Sequence, residues 1–213
     1  MATGREARTR PRERNADPGG APTGASLHEA ALSYLARGAA STDSVVRTLR
    51  RRIGNWARRA LRAGRDAEQV ASEAAAARAL VDELVSRLGE VGLVNDPVFA
   101  QTRAKRMSSA GRSRRAIAAH LTTKGIDAAT VREAVAHDAS AELAAAIALA
   151  RKRRLGPFAR EEVAVESRDA ARAAERKALG TLARAGFDFS VCERALRMNR
   201  EDAEAILRDR REF

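Results

Sequence analysis

Residues 94–135 read VNDPVFAQTRAKRMSSAGRSRRAIAAHLTTKGIDAATVREAV, and this stretch decides the fold class. Asp96 followed by Pro97 predicts a helix start, because the carboxylate accepts from first-turn amides that lack partners and proline loses nothing at the first helical position. Val98, Phe99, Ala104 and Met107 then recur at roughly helical spacing, which predicts a helix over 97–108. Gly111 breaks that helix. Ser113 caps a second one, carrying Ile117, Ala118 and Leu121, until Gly125 supplies the left-handed residue that ends it. A third helix starts at Asp127, with Ile126 just before the cap and Val131 four residues inside, the spacing of a hydrophobic staple.

The same signature returns further along. Leu121, Lys124, Gly125, Ile126, Asp127, Val131, Ala134 and Val135 are matched by Leu182, Ala185, Gly186, Phe187, Asp188, Cys192, Ala195 and Leu196, every interval preserved at an offset of 61 residues. The match carries the glycine, the cap, the staple pair and the apolar face together. Repeated three-helix units predict an architecture in which neighbours cover each other's apolar faces.

Composition agrees. Of 213 residues, 45% are hydrophobic but only 3% aromatic, so the core is expected from Ala, Leu, Val and Ile, which suits closely packed helices. No segment alternates as a strand would, and the five prolines leave room for long helices, so the expected class is all-α. The single cysteine excludes an internal disulfide framework and fits a reducing, cytoplasmic setting. There is neither a leader-like apolar segment at the start nor an apolar run long enough to span a bilayer, so no membrane partner is expected.

Forty Lys and Arg against 28 Asp and Glu give a net charge of +12, which favours an acidic partner such as nucleic acid or an acidic protein surface. The excess is concentrated. Residues 44–65 hold eight arginines, 97–126 seven Lys and Arg, and 143–160 five, and none of these blocks contains an acid.

Taken in order, residues 1–25 form an expected basic, disordered tail with three of the five prolines and almost nothing large and apolar. A first module is expected over 26–93. Its opening helix carries Leu27, Ala31, Leu32, Tyr34 and Leu35; Ser41 or Asp43 caps a second with Val45, Val46, Leu49 and Ile53. Here the glycine signature is missing, since Arg52 precedes Ile53, and the chain runs on to a long helix over 67–90 with Leu80, Leu84 and Leu88. The second module covers 94–138. The third, 139–213, opens with a helix over 140–154 bearing Leu143, Ile147 and Leu149 and stopped by Gly156-Pro157. A solvated helix is expected over 159–176, and Asn199 is expected to cap a last helix with Ala203, Ile206 and Leu207.

Catalytic patterns are absent. The chain has no phosphate-binding glycine loop and no Cys/His cluster at metal spacing, so no cofactor is expected. His28, His120 and His137 fall in different predicted helices, and Glu161-Glu162 lies on the polar one. Cys192 takes the place of Val131 in the repeat and is expected to pack in the core against Phe187.

The candidate contact residues are therefore basic. Arg47, Arg51, Arg58, Arg62 and Arg65 recur at intervals that line one helix face, with no acid mixed in. Trp56, among them, either packs against Leu61 or offers a stacking platform. Arg112, Arg114 and Arg115 sit at a helix start, against the dipole, where an anion would meet both guanidinium groups and free amides. Lys124 joins the same module. Arg151, Lys152, Arg153 and Arg154 end a helix, where the dipole alone accounts for them.

Five groups of residues together resemble the RecX family, proteins that modulate the RecA recombinase. They are Ala31-Leu32-x-Tyr34-Leu35-Ala36-Arg37 with Ser41, Gly92-Leu93-Val94-Asn95-Asp96-x-x-Phe99-Ala100, Gly111-x-x-Arg114 with Ile117, Leu121-x-x-Lys124-Gly125-Ile126, and Leu182-x-x-Ala185-Gly186-Phe187. The departures are the missing glycine before Ile53 and an insertion over 54–79. The resemblance implies an elongated, curved monomer of three tandem three-helix repeats, without enzymatic activity, that binds the RecA filament in its groove and suppresses ATP hydrolysis and strand exchange. It also implies weaker, non-specific binding to single- or double-stranded DNA. The residues by themselves leave open a DNA-binding module acting without RecA, because three-helix units with a basic middle helix also resemble helix-turn-helix domains.

Overall fold

The computed structural model describes residues 19–136, 138–159 and 168–209, and every regular element among them is helical. The expected tail lies outside the described residues up to position 18. Its end is a correction: a helix already begins at Gly24, capped by the Thr23 hydroxyl, which accepts from the Ser26 amide at 3.3 Å. The chain separates into two compact units. One holds Ser44–Val94 with the chain before Ala40, the other Asn95 onward with Ala40–Asp43.

The first unit contains α1 (Gly24–Leu35), α2 (Thr42–Arg62) and α3 (Ala67–Glu90). Val45, Leu49, Ile53, Trp56 and Ala60 form the buried stripe of α2, at three- and four-residue steps. α2 runs unbroken through Gly54, which explains the missing glycine signature: no turn occurs before Ile53, so no left-handed residue is needed there. The inserted stretch is the second half of α2, a short turn, and the first half of α3, whose start is capped by Asp66 accepting from the Gln69 amide at 2.8 Å. The leucine stripe expected on α3 is corrected. Val70, Ala74, Ala77, Val81, Val85 and Leu88 face inward, whereas Leu80 is 39% exposed. Trp56 is buried, its indole N–H donates to the Gly19 carbonyl at 3.1 Å, and the Arg65 guanidinium lies 5.6 Å over the ring. Leu61, the expected packing partner, is exposed instead.

The second unit contains α4 (Asp96–Ser109), α5 (Arg114–Thr123), α6 (Ala128–Ala134), α7 (Ala139–Arg153), a 3-10 turn at Gly156–Phe158, α8 (Arg168–Arg184), α9 (Phe189–Arg197) and α10 (Arg200–Asp209). The start of α4 is a further correction. Asn95, not Asp96, is the cap, its side chain accepting from the Val98 amide at 2.9 Å. Val98 points to solvent, and Ala100 and Ala104 with Ile117, Leu121, Ile126 and Val131 make the core of α4, α5 and α6. Burial of each large aliphatic side chain there is worth roughly 1.5–3 kcal/mol. A second cluster gathers Leu143, Ile147, Phe158, Leu182, Phe187, Cys192, Ala203 and Leu207 around α7. That helix buries five residues in a row, 143–147, three of them alanine, and packs against α4, α8, α9 and α10. Such small side chains let helix backbones approach closely. Its end is corrected too: Arg154 lies beyond the helix in the left-handed conformation, φ 55°. Of the polar helix expected over 159–176, residues 160–167, with Glu161 and Glu162, lie outside the described residues, as does His137. Asn199 precedes α10, with its side chain accepting from the Asp202 amide at 2.8 Å.

Both copies of the repeated signature fall in this unit, and each is held by the same three contacts. Gly125 has φ +76° and Gly186 φ +93°. The carbonyl just before each glycine accepts from a buried serine hydroxyl: Ser41 to Lys124 at 2.7 Å, Ser113 to Ala185 at 2.6 Å. The amide just after each serine donates to a carboxylate in the first turn of a helix: Thr42 to Asp96 at 2.8 Å, Arg114 to Glu142 at 3.0 Å. A β-carbon on Gly125 would sit 2.3 Å from Cβ of Asp43, and one on Gly186 2.7 Å from the Ser113 oxygen.

Candidate acidic-partner interface

The basic residues of the first unit sit on the outer face of α2. At about 100° per residue, Arg47, Arg51, Arg58 and Arg62 fall within about 60° of one another, opposite the buried stripe. All four are exposed. Arg65 does not belong with them: it lies past the helix end, pairs with Glu73 at 2.7 Å and covers Trp56. The tryptophan is therefore closed to stacking. Arg50, likewise, pairs with Asp82 on α3 at 3.0 Å. The structure adds residues that the spacing argument missed. Arg52 and Arg59 join Arg58 and Arg62 around a groove of about 940 Å³ between α2 and the segment leading into α1. Arg51 and Arg52 also line a smaller hollow against α1 that holds Arg37 and Glu29. The acid-free character of 44–65 was the available signal; the helix-face selection discarded Arg52 and Arg59 because they flank the outer stripe.

In the second unit the middle block is spread over three sites. Arg112, in the turn between α4 and α5, is exposed; Arg114 and Arg115 open α5, and the stem of Arg115 runs along Gly186, 3.4 Å from where its β-carbon would lie. The expectation of free amides here is corrected. The Arg114 amide is taken by Glu142 and the Ala116 amide by the Ser113 hydroxyl at 3.2 Å, so the helix start already holds its anion. Lys124 lies at the far end of α5, as its C-cap. Near it, Arg103 on α4 donates from Nε to Nε2 of His120 at 3.2 Å. Burial, followed by the charges of Arg103, Lys124 and Arg112, holds the His120 imidazole below its usual pKa. Neither Arg103 nor His120 was singled out as a contact residue from the sequence, because their pairing joins two helices.

Arg151, Lys152, Arg153 and Arg154 are all exposed at the end of α7, and none pairs with a carboxylate among the described residues. A hollow of about 580 Å³ elsewhere in this unit mixes Lys105 and Arg114 with Glu133, Asp138 and Glu142, so it lacks a dominant charge. Cys192 is buried and reduced; its Sγ lies 3.7 Å from the Phe187 carbonyl, and burial, then Asp188, pushes its thiol pKa up, away from thiolate chemistry. Among the described residues no group of His, Cys, Asp or Glu is placed to hold a metal ion, and no helix is long and apolar enough to cross a membrane.

These features define a class: an all-helical protein built on a repeated helix-turn-helix signature, with large basic surfaces. Residues 95–135 match the family model for the second three-helix domain of RecX. The chain is 37% identical over 176 residues to the regulatory protein RecX of Myxococcus xanthus, covering 81% of this chain and 85% of that one. It is 34% identical over 127 residues to that of Thermobifida fusca, covering 59% and 63%. The crystal structure of RecX from Lactobacillus salivarius has the same fold, with a TM-score of 0.55 over 85% of this chain and 97% of that one at 16% identity. The chain belongs to the RecX family of regulatory proteins.

Proposed function

We propose that the chain binds the RecA nucleoprotein filament and restrains its ATPase, recombinase and coprotease activities during DNA repair and recombination, acting as a monomer in the cytoplasm by contact rather than by chemistry. Membership of a family of regulatory proteins supports this reading, and the observation that carries it is the distribution of charge. Three blocks free of acid lie on successive stretches of the chain, on α2, on α4 and α5, and at the end of α7. A long acidic or phosphate-lined groove is the surface such a series would follow. In this reading residues 26–93, 94–138 and 139–213 are three modules that contact neighbouring RecA protomers, with direct DNA binding weaker and unspecific. Arg47, Arg51 and Arg58 supply the contacts of the first, Arg112, Arg114, Arg115 and Lys124 those of the second, and Arg151, Lys152, Arg153 and Arg154 those of the third.

The test is ATP hydrolysis by RecA on single-stranded DNA, with this protein added after the filament has formed. Inhibition is expected, and it should disappear in the Arg112→Glu, Arg114→Glu, Arg115→Glu triple variant. Glutamate suits the start of a helix, so circular dichroism should show helicity retained. Undiminished inhibition by the variant would remove these three arginines from the interface. No inhibition by the unaltered protein, with steeply salt-dependent duplex binding intact, would favour the DNA-binding module acting without RecA.

A further inference from the structure

An arginine that donates to a histidine nitrogen, with further cations and no carboxylate among the charges acting on the ring, is an arrangement lacking its anion. Guanidinium groups ordinarily pair with carboxylates or phosphates. Arg103 instead uses Nε to reach Nε2 of His120, which requires the lone pair of a neutral ring. The geometry points to a phosphate site: we propose that Arg103, His120 and Lys124 receive a backbone phosphate of a nucleic-acid strand, with Arg112 at the other end of α5 meeting a neighbouring phosphate, and that His120 takes up a proton when the phosphate enters. The proposal rests on the reading of the middle basic block as a contact surface, but it concerns nucleic acid directly and needs no RecA to be tested.

No carboxylate is among the charges that reach the His120 ring, although Asp43 lies against Gly125, the neighbour of Lys124. The charges that reach His120 are those of Arg103, Lys124 and Arg112, from α4, the end of α5 and the turn between the two. Lys105 and Arg114 line the mixed-charge hollow and Arg115 runs along Gly186, so they are not part of this group. The nearby carboxylates are engaged elsewhere. On α6, Asp127 accepts from the Ala129 and Thr130 amides, and Glu133 lines the mixed-charge hollow beside Arg132's helix turn. Phosphate is favoured over a side-chain carboxylate because one bidentate guanidinium satisfies a carboxylate, whereas two guanidinium groups, an ammonium and an imidazolium match the several acceptor oxygens of a phosphate and its neighbour along a strand. Protonation at Nε2 abolishes the bond from Arg103. The guanidinium and the new imidazolium then both donate to the entering oxygens, and the anion offsets the repulsion that keeps the ring neutral when the site is empty.

The sign follows. The bound state has the higher His120 pKa, so affinity for the strand rises as pH falls through the bound-state value and levels off below the free one. The experiment is an NMR titration of the His120 ring in the full chain, alone and with a short single-stranded oligodeoxynucleotide, inorganic phosphate or polyglutamate at equal charge. An upward move of the His120 midpoint by about one unit is expected with the oligonucleotide, together with binding about tenfold tighter near about pH 5.5 than about pH 7.5. In His120→Gln, which keeps a hydrogen-bond acceptor for Arg103 but cannot take up the proton, that pH dependence should vanish. An unmoved midpoint with the oligonucleotide overturns the proposal, as does an equal or larger move with polyglutamate or with inorganic phosphate alone. Failure of RecA inhibition alongside a positive titration would sink the filament reading and leave this site standing.

Discussion

The turn leading into α6 and the turn leading into α9 share leucine, glycine, aspartate and alanine at the same intervals, yet they differ in what surrounds the shared contacts. Each has a glycine at positive φ, a buried serine donating to the carbonyl before it, and a first-turn carboxylate holding the amide after that serine. Around this common device the copies diverge. Asp127 caps α6 with bonds to two amides, whereas Asp188 makes no side-chain capping bond to α9. The residue before the glycine is Lys124 in one and Ala185 in the other, so the cation that joins the His120 group has no counterpart in the second copy. The packing device therefore recurs where backbone approach demands it, while capping and surface charge vary between copies.

The glycines offer the strongest way to break the comparison. Gly186→Ala should lose about 2–5 kcal/mol in urea unfolding, from about 1–2 for a left-handed alanine and about 1–3 for the clash with Ser113. Gly125→Ala should lose at least as much, because its β-carbon would lie 2.3 Å from Cβ of Asp43, an atom that moves only with the backbone, whereas at Gly186 the clash is with the Ser113 hydroxyl oxygen at 2.7 Å. A loss below about 1 kcal/mol in both would show that the turns are not held by close approach.

Next in size is the buried hydroxyl. Ser113→Ala removes the cap on the Ala116 amide and leaves the Ala185 carbonyl without its donor, an expected loss of about 2 kcal/mol. If the device is the same in both copies, Ser41→Ala should lose a similar amount; no effect there would restrict it to the second copy.

The smallest expected effect sharpens the difference between caps. Asp127→Ala should lower the urea midpoint near neutral pH, and Asp188→Ala should not. The Asp127 carboxyl is held below its usual range, first by the Thr130 side chain and then by the Thr130 amide. A depressed folded-state pKa contributes stability above the unfolded value, lost as pH falls through the folded one. The gap between the two variants should therefore close in strong acid; a gap that persists there would mean that the cap acts through something other than its charge.

What could be read from the sequence was local. As caps, Ser113, Asp127 and Asn199 accept from amides within three residues of themselves, and the helix over 67–90 appears with those bounds as α3. The errors arose where a partner lies far along the chain. Asp96 looks like a cap but serves the Thr42 amide, 54 residues away, while Asn95 caps α4. On α3 the leucines drew the stripe through Leu80, although the neighbouring Val81 is the one buried, because an alanine-rich helix tolerates either reading until a second helix chooses a side. The basic site was legible as charge but not as geometry. Arg65 was lost to Glu73, and Arg52, Arg59 and Arg103 were gained.

By itself the sequence determined the all-helical class, the repeated turn and the excess of positive charge, because helical period, glycine conformation and net charge are properties of short segments. Only the tertiary structure decided which serine meets which carbonyl, which carboxylate occupies the start of α5, and that Arg103 finds a histidine instead of an acid. Those choices depend on which segments pack together, and packing of distant segments is set by the shape of whole helix faces rather than by any local signal.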